Sequence, residues 1–480
     1  MTIGIAIQQG SASGHPLATR AGNDVLASGG TSVDAVLAMA FVQWVVSAPT
    51  CGPGGDLFVM HAEYVRGELK TTVYGGWSRT PLRVNPDSDL VFSGPVGAVI
   101  PGALVGAEAA WQNKGRLPWR RLFEHAESLC VGHVVFPWMA RCYAEVERRG
   151  HGAAMAAFFD ASSLFTEGKS VSSSRFATTL RRIAEHGASD FFTGGLAKSI
   201  VEASKDAGGR IGADDLAAQK ASVTNAVSID LGDIQLKFPG YPSQASILGE
   251  IMSATPMNIC ADDRAFAELV APLAKQALID RCVVGIPGTA VAIATDGNST
   301  AVVVHSLAGV QFGTGWIAGN TGIALGNRLG TALSNRVDLP AANPKPGEVV
   351  PHTLSAALFA SDQRWMLIAT PGGDRQVQWL AQAGQRFRQG ASVDEIVSEP
   401  RWFVCPEGNR FGVPGGIDNE WFMFAEPGIH WYDESQTAGF RVRKMDNIGG
   451  GLQAICREQN KWTIASDPRS GGFASFVGMH

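Results

Sequence analysis

Thr289 follows Gly288 in the stretch GIPGTAVAIATDGNST, where breaking one peptide bond would create a nucleophile. A threonine hydroxyl reacts poorly unless a base lies beside it, and an N-terminal threonine carries that base as its own α-amine. Gly288 suits such a cleavage, because a residue without Cβ lets the scissile carbonyl twist and leaves room for the attacking hydroxyl. Read locally, the same Gly-Thr pair simply opens a β-strand, since threonine favours pleated, half-buried surfaces. From the local sequence alone the strand reading is the preferred one. A second group is Gly372-Gly373 in IATPGGDRQ, between a strand-like run and a helical pattern. Two glycines there could aim successive backbone N–H groups at one point, as an oxyanion hole requires, or could only make a tight turn. His352 and Thr353, in VPHTLSAAL, are of a type to bind a substrate carboxylate or polar group, and are equally ordinary loop residues.

Such residues need elements to hold them. The segment ATRAGNDVLASGGTSVDAVLAMAFVQWVVSA spaces its apolar residues over two helical stretches parted by Gly29 and Gly30. CGPGGDLFVMHAEY then places a glycine-rich turn before a strand from Leu57 to Ala62. Residues 103–220 read as a helical lobe, with LPWRRLFEHAESLC and SSRFATTLRRIAEH each carrying an apolar stripe beside charged positions. From residue 221 strand signals return in AVSIDLGDIQLKF, TAVAIATDGNSTAVVVHSL and RWMLIATPGG, broken by helical runs. A hairpin at Asp296-Gly297-Asn298 and this mixed order predict an α+β chain with antiparallel sheets covered by helices.

Composition narrows the function. Of 480 residues, 45% are apolar and 17% charged, with 57 glycines, which describes a turn-rich globular enzyme. A net charge of −5 and no Lys/Arg run argue against nucleic acid and membrane surfaces, and for a small-molecule or protein partner. Seven cysteines without CxxC spacing predict reduced thiols and no zinc site. The first residues lack a basic region and a long apolar run, so a cytoplasmic protein is expected. GGWSRTP is not a GxSxG elbow and CGPGGDLF lacks a P-loop lysine. No HExxH or carboxylate cluster calls for a metal, and no cofactor is expected.

Motifs in fixed order carry more. ASGGTSVDAVLAMAF resembles GGNAVDAAVA, CGPGGDLFV resembles GxGGxxF, and VIPGALVGAEAAWQNKGRLPW and DFFTGGLAKSIVEASKDAGGRIGADDLA follow. FGTGWIAGNTGIALGNR, VVPHTLSAALF, ATPGGDRQ, EPRW and ASDPRSGG complete the series. Together they are similar to the γ-glutamyltranspeptidase family of N-terminal-nucleophile enzymes, almost end to end. The resemblance implies a four-layer αββα sandwich with a helical lobe, made as one precursor. Its own threonine would split it into a large chain of residues 1–288 and a small chain of 289–480 that stay associated, with a dimer of such pairs left open.

By the same resemblance, Thr289 attacks an amide or γ-glutamyl carbonyl and passes the acyl group to water or an amine. Gly372 and Gly373 fall on the oxyanion-hole glycines, and Ser306 near the hydroxyl residue that steadies the nucleophile. Three departures stand out. Thr289 is followed by Ala290-Val291 where the family has a histidine, and only Cys282 to Gly288 separate QALIDR from it. Trp77 stands where an arginine would grip an α-carboxylate, while Arg79 in WSRTP matches the SGRAP of an amidohydrolase and acylase branch, as His352-Thr353 do. Thr331 takes the place of an aspartate that binds the glutamyl amine. The expected substrate is therefore a small amide that Arg79, His352 and Thr353 would orient, and not a standard γ-glutamyl compound. The alternative is an unprocessed, catalytically silent chain that acts as a binding or partner subunit.

Overall fold

Alanine alternates with branched residues in the strand Thr289–Thr295, and the alternation sorts two environments. Ala290, Ala292 and Ala294 join a core shared with helices, whereas Val291 and Ile293 join a core between two sheets. This strand pairs antiparallel with Ser299–Ser306, in a register that sets Ser306 opposite Thr289. The turn between them is the expected one. Asp296 Oδ1 accepts from Asn298 N and Ser299 N, both at 2.8 Å, and Gly297 takes φ +84°, a region that favours glycine.

The computed structural model describes residues 8–85, 91, 93–160, 165–281, 288–309, 312–332, 345–407 and 420–478. Its first sheet has seven strands in the order Phe473–Phe476, Gly10–Ser13, Thr289–Thr295, Ser299–Ser306, Asp56–Val65, Glu68–Gly76 and Ser222–Asn225. Six strands make the second, in the order Lys461–Ser466, Gln453–Glu458, Arg364–Ala369, Ala356–Ala360, Gln235–Phe238 and Val227–Asp230. Neighbours in both sheets run antiparallel. The faces that meet bury Val302, Val304, Leu358 and Leu367 among others.

Helices cover the two outer faces. The Ser32–Val46 helix lies on the first sheet and every one of its residues is buried, so it is covered in turn by the helical lobe of Ala103–Lys114 through Ala213–Ala217. A capping box starts it: Asp34 N donates to Thr31 Oγ1 at 3.2 Å and Thr31 N to Asp34 Oδ2 at 2.9 Å. Ser246–Ala254 and Arg375–Arg388 cover the second sheet. The α+β, αββα expectation is met. Sequence periodicity does not reveal a further four-stranded sheet, Trp402–Pro406, Trp421–Ala425, Phe440–Lys444 and Gln436–Thr437. Its runs WFVCP and WFMFA are buried throughout and so show no alternation. No described helix is long and apolar enough to cross a membrane.

Three buried histidines stay neutral. Burial pushes His305 down to about 3, burial and His133 push His15 to about 3, and burial chiefly holds His61 at about 4. Because the unfolded chain takes up these protons first, stability is full above the ordinary histidine range near pH 6.5 and falls as the pH drops toward 3. Urea midpoints at pH 7.5 and pH 5 check this. The midpoint is expected to be lower at pH 5, and equal midpoints would contradict it.

Candidate active site

Both sheets bring strand ends to one edge. Thr289 begins its strand, Ser306 ends the next, and the glycine turn follows the Arg364–Ala369 strand of the other sheet. Thr289 is buried and shares the inter-sheet face with Val291. Gly288 has φ +150°, and a Cβ there would sit 2.2 Å from the Gly309 carbonyl oxygen, so this position requires glycine. The Ser306 hydroxyl accepts from Ala308 N at 2.7 Å and donates to the Gly288 carbonyl oxygen. That carbonyl belongs to the peptide bond before Thr289, so a hydroxyl already polarises it.

Across from it, Gly372 and Gly373 have φ +148° and +63°. A Cβ on Gly372 would lie 2.5 Å from Trp379 Cζ3. The carbonyl of Gly373 accepts from Gln244 Nε2 at 3.0 Å, while among the described residues the N–H groups of Gly372 and Gly373 meet no protein acceptor. A cavity of about 120 Å³ joins the two parts, lined by Thr289, Gly372, Gln43, Trp138, Arg375 and Ser470 among others. Arg375 is its charged residue and no carboxylate side chain lines it among the described residues.

Two networks hold this cavity. Trp44 Nε1 donates to His305 Nδ1 at 3.1 Å, which leaves the proton on Nε2 for Gln43 Oε1 at 2.8 Å. Gln43 Nε2 then donates to Val291 O at 3.1 Å, on the strand Thr289 begins. The second network explains EPRW and ASDPRSGG. Arg401 and Asp467, both fully buried, pair at 2.6 Å, and Arg401 Nη2 donates to Gly449 O at 3.1 Å in the cavity wall. Arg469 ties Asp467 to Glu426 at 3.1 and 2.7 Å. The Arg401 guanidinium also stands 4.9 Å over the Trp379 ring, whose edge abuts both Gly372 and Gly450. Asp467→Asn is expected to cost about 3–5 kcal/mol, because it strands a buried guanidinium. Urea unfolding checks it, and a loss below about 1 kcal/mol would contradict the network.

The expected substrate residues lie elsewhere. Arg79 Nε and Nη1 donate to Gln219 Oε1 and Gly347 O, each at 3.1 Å. His352 and Thr353 are buried, with the His352 ring 4.7 Å from Trp77. None of the three is among the residues that line the Thr289 cavity. The Thr331 side chain and Cys282–Pro287 lie outside the described residues. The described cysteines are free, and burial pushes the Cys51 thiol up to about 12. Sequence reading missed Gln43, although one amide inside the apolar run AMAFVQWVV was a visible signal.

The profile of the family described as Gamma-glutamyltranspeptidase matches residues 18–271 and 282–477. The chain belongs to the gamma-glutamyltranspeptidase family. Within it, the chain is 23% identical to the glutathione hydrolase proenzyme of Escherichia coli, over 94% of this chain and 89% of that protein. The Bacillus subtilis glutathione hydrolase-like YwrD proenzyme is 27% identical, over 83% and 85%. Glutathione hydrolase 3 of Arabidopsis thaliana is 30% identical over 218 residues, and there the chain spans only 34% of its relative's length. Cephalosporin acylase from Bacillus halodurans has the same fold, with a TM-score of 0.84 at 21% identity, covering 98% of this chain and 96% of the acylase.

Proposed function

We propose that this gamma-glutamyltranspeptidase-family chain is an acyl-transfer hydrolase of small amides that makes its own nucleophile at Thr289. The hydrogen bond from Ser306 to the Gly288 carbonyl supports this most directly, since it prepares the one peptide bond whose rupture frees the threonine amine. Thr289 Oγ attacks that carbonyl, the C–N bond breaks as the amine takes the hydroxyl proton, and water hydrolyses the resulting ester. The freed hydroxyl next attacks a substrate amide. Its proton passes through the Thr289 amine to the leaving amine, while the Gly372 and Gly373 N–H groups bind the oxyanion. Water or a second amine then takes the acyl group.

The lining suits an acyl group with a neutral or anionic end. A γ-glutamyl group would bring an α-ammonium that no carboxylate meets among the described lining residues. An amide of the same length without the α-amine should be preferred by at least about tenfold in kcat/KM, measured on paired anilides; equal values would refute the preference. A denaturing gel with N-terminal sequencing tests processing. Two pieces, the smaller beginning Thr-Ala-Val-Ala-Ile, support the reading. A persistent 50.6 kDa chain supports instead the unprocessed binding subunit, which the short run from Arg281, the end of its helix, to Thr289 favours.

A further inference from the structure

A second depression adjoins the Thr289 cavity and shares Gly14, Trp138 and Ser470 with it. His15, Phe136, Pro137 and Arg141 complete its lining. Three observations mark it as built to receive a ligand. Trp138 is 40% exposed although its ring forms part of both walls. Arg141, one turn further along the Pro137–Arg148 helix, stands 6.0 Å over that ring and is the charged residue of the lining. The third is His15. Its Nδ1 accepts from Leu17 N at 3.3 Å, so its proton sits on Nε2, a buried atom with no hydrogen-bond partner among the described residues.

We propose that this depression is the leaving-amine and acceptor subsite, selective for amines that join an aromatic or apolar body to an anionic group. The inference rests on the function proposed above. With the acyl half in the cavity, the amine half must extend beyond it, and the depression is the neighbouring space that the cavity walls themselves continue into. When the amide C–N bond breaks, the amine takes a proton from the Thr289 ammonium and leaves across Trp138. An acceptor attacks the ester from the same side and gives up a proton to the Thr289 amine. Trp138 offers an aromatic face and Arg141 a cation; no acidic side chain in the described lining opposes an anion.

The test uses one acyl group on ammonia, aniline and 3-aminobenzoate, with kcat/KM measured for the wild-type chain and variants. Trp138→Ala should lower the aniline-to-ammonia ratio about tenfold, with Trp138→Phe restoring most of it. Arg141→Gln should lower the aminobenzoate-to-aniline ratio about fivefold. Ratios unchanged in both variants, in a chain that turns these amides over, overturn the subsite and leave the proposed function standing. If the wild-type chain hydrolyses none of them, the proposed function fails, and binding of 3-aminobenzoate by saturation-transfer NMR decides the subsite alone. Binding that Trp138→Ala abolishes supports it; no binding, or binding that Trp138→Ala leaves intact, overturns it.

Discussion

Thr289→Ala is expected to leave a single 50.6 kDa chain and to lower amide turnover by at least about 10³-fold. Alanine keeps the backbone of a buried strand end and removes only the hydroxyl and one methyl group, so the fold should survive. The other hydroxyl residues of the described cavity lining, Ser47, Thr50 and Ser470, carry no α-amine to act as their base. The Ser306 hydroxyl is engaged with the Gly288 carbonyl as a donor, and the buried Cys51 thiol, pushed up to about 12, is not ionised near neutral pH. Mass spectrometry of the purified variant, beside the wild-type chain, reads the first outcome, and an amide-hydrolysis assay reads the second. Wild-type processing in the variant would refute Thr289 as the cleaving group, and wild-type turnover would refute it as the nucleophile.

Ser306→Ala should slow the appearance of the two pieces by about 10²–10³-fold, the usual effect of removing one oxyanion donor. The argument is geometric. Ala308 N fixes the Ser306 oxygen as an acceptor, which turns its proton toward Gly288 O. That oxygen gains negative charge as Thr289 attacks. Ser306→Thr keeps the donor and should retain far more of the rate than Ser306→Ala. Equal processing half-times for Ser306→Ala and the wild-type chain, followed on gels from first synthesis, would sink this role.

Much of this site was legible because it depends on residue types at turns. Gly288 and Gly372 stand where backbone conformation and neighbouring atoms exclude a Cβ, a constraint that leaves its mark in sequence. The pairing of Ser306 with Thr289 was less plain, and rests on the length of the turn between Thr295 and Thr300, which sequence spacing alone does not count reliably. The cavity lining was the hidden part. Gln43 comes from a helix, Trp138 from the lobe and Gly450 from a loop after the Phe440–Lys444 strand, and only tertiary packing brings them together. Arg79 and His352 stand outside that lining for a related reason. A motif match states residue type, whereas burial and competing hydrogen bonds decide what a side chain can still reach.

The order of the first sheet gives the cut an unusual character. The strand Gly10–Ser13 is clasped between Phe473–Phe476 and Thr289–Thr295, and Ser299–Ser306 is clasped between Thr289–Thr295 and Asp56–Val65. Breaking the 288–289 bond would release nothing, since neither piece holds the whole of either large sheet. It would instead make the molecule remember its origin. An uncut chain regains its shape in a unimolecular reaction, but a cut one, once denatured, must reunite two polypeptides, with recovery that depends on concentration. The first folding would thus be the easy one, and every later unfolding close to irreversible in dilute solution.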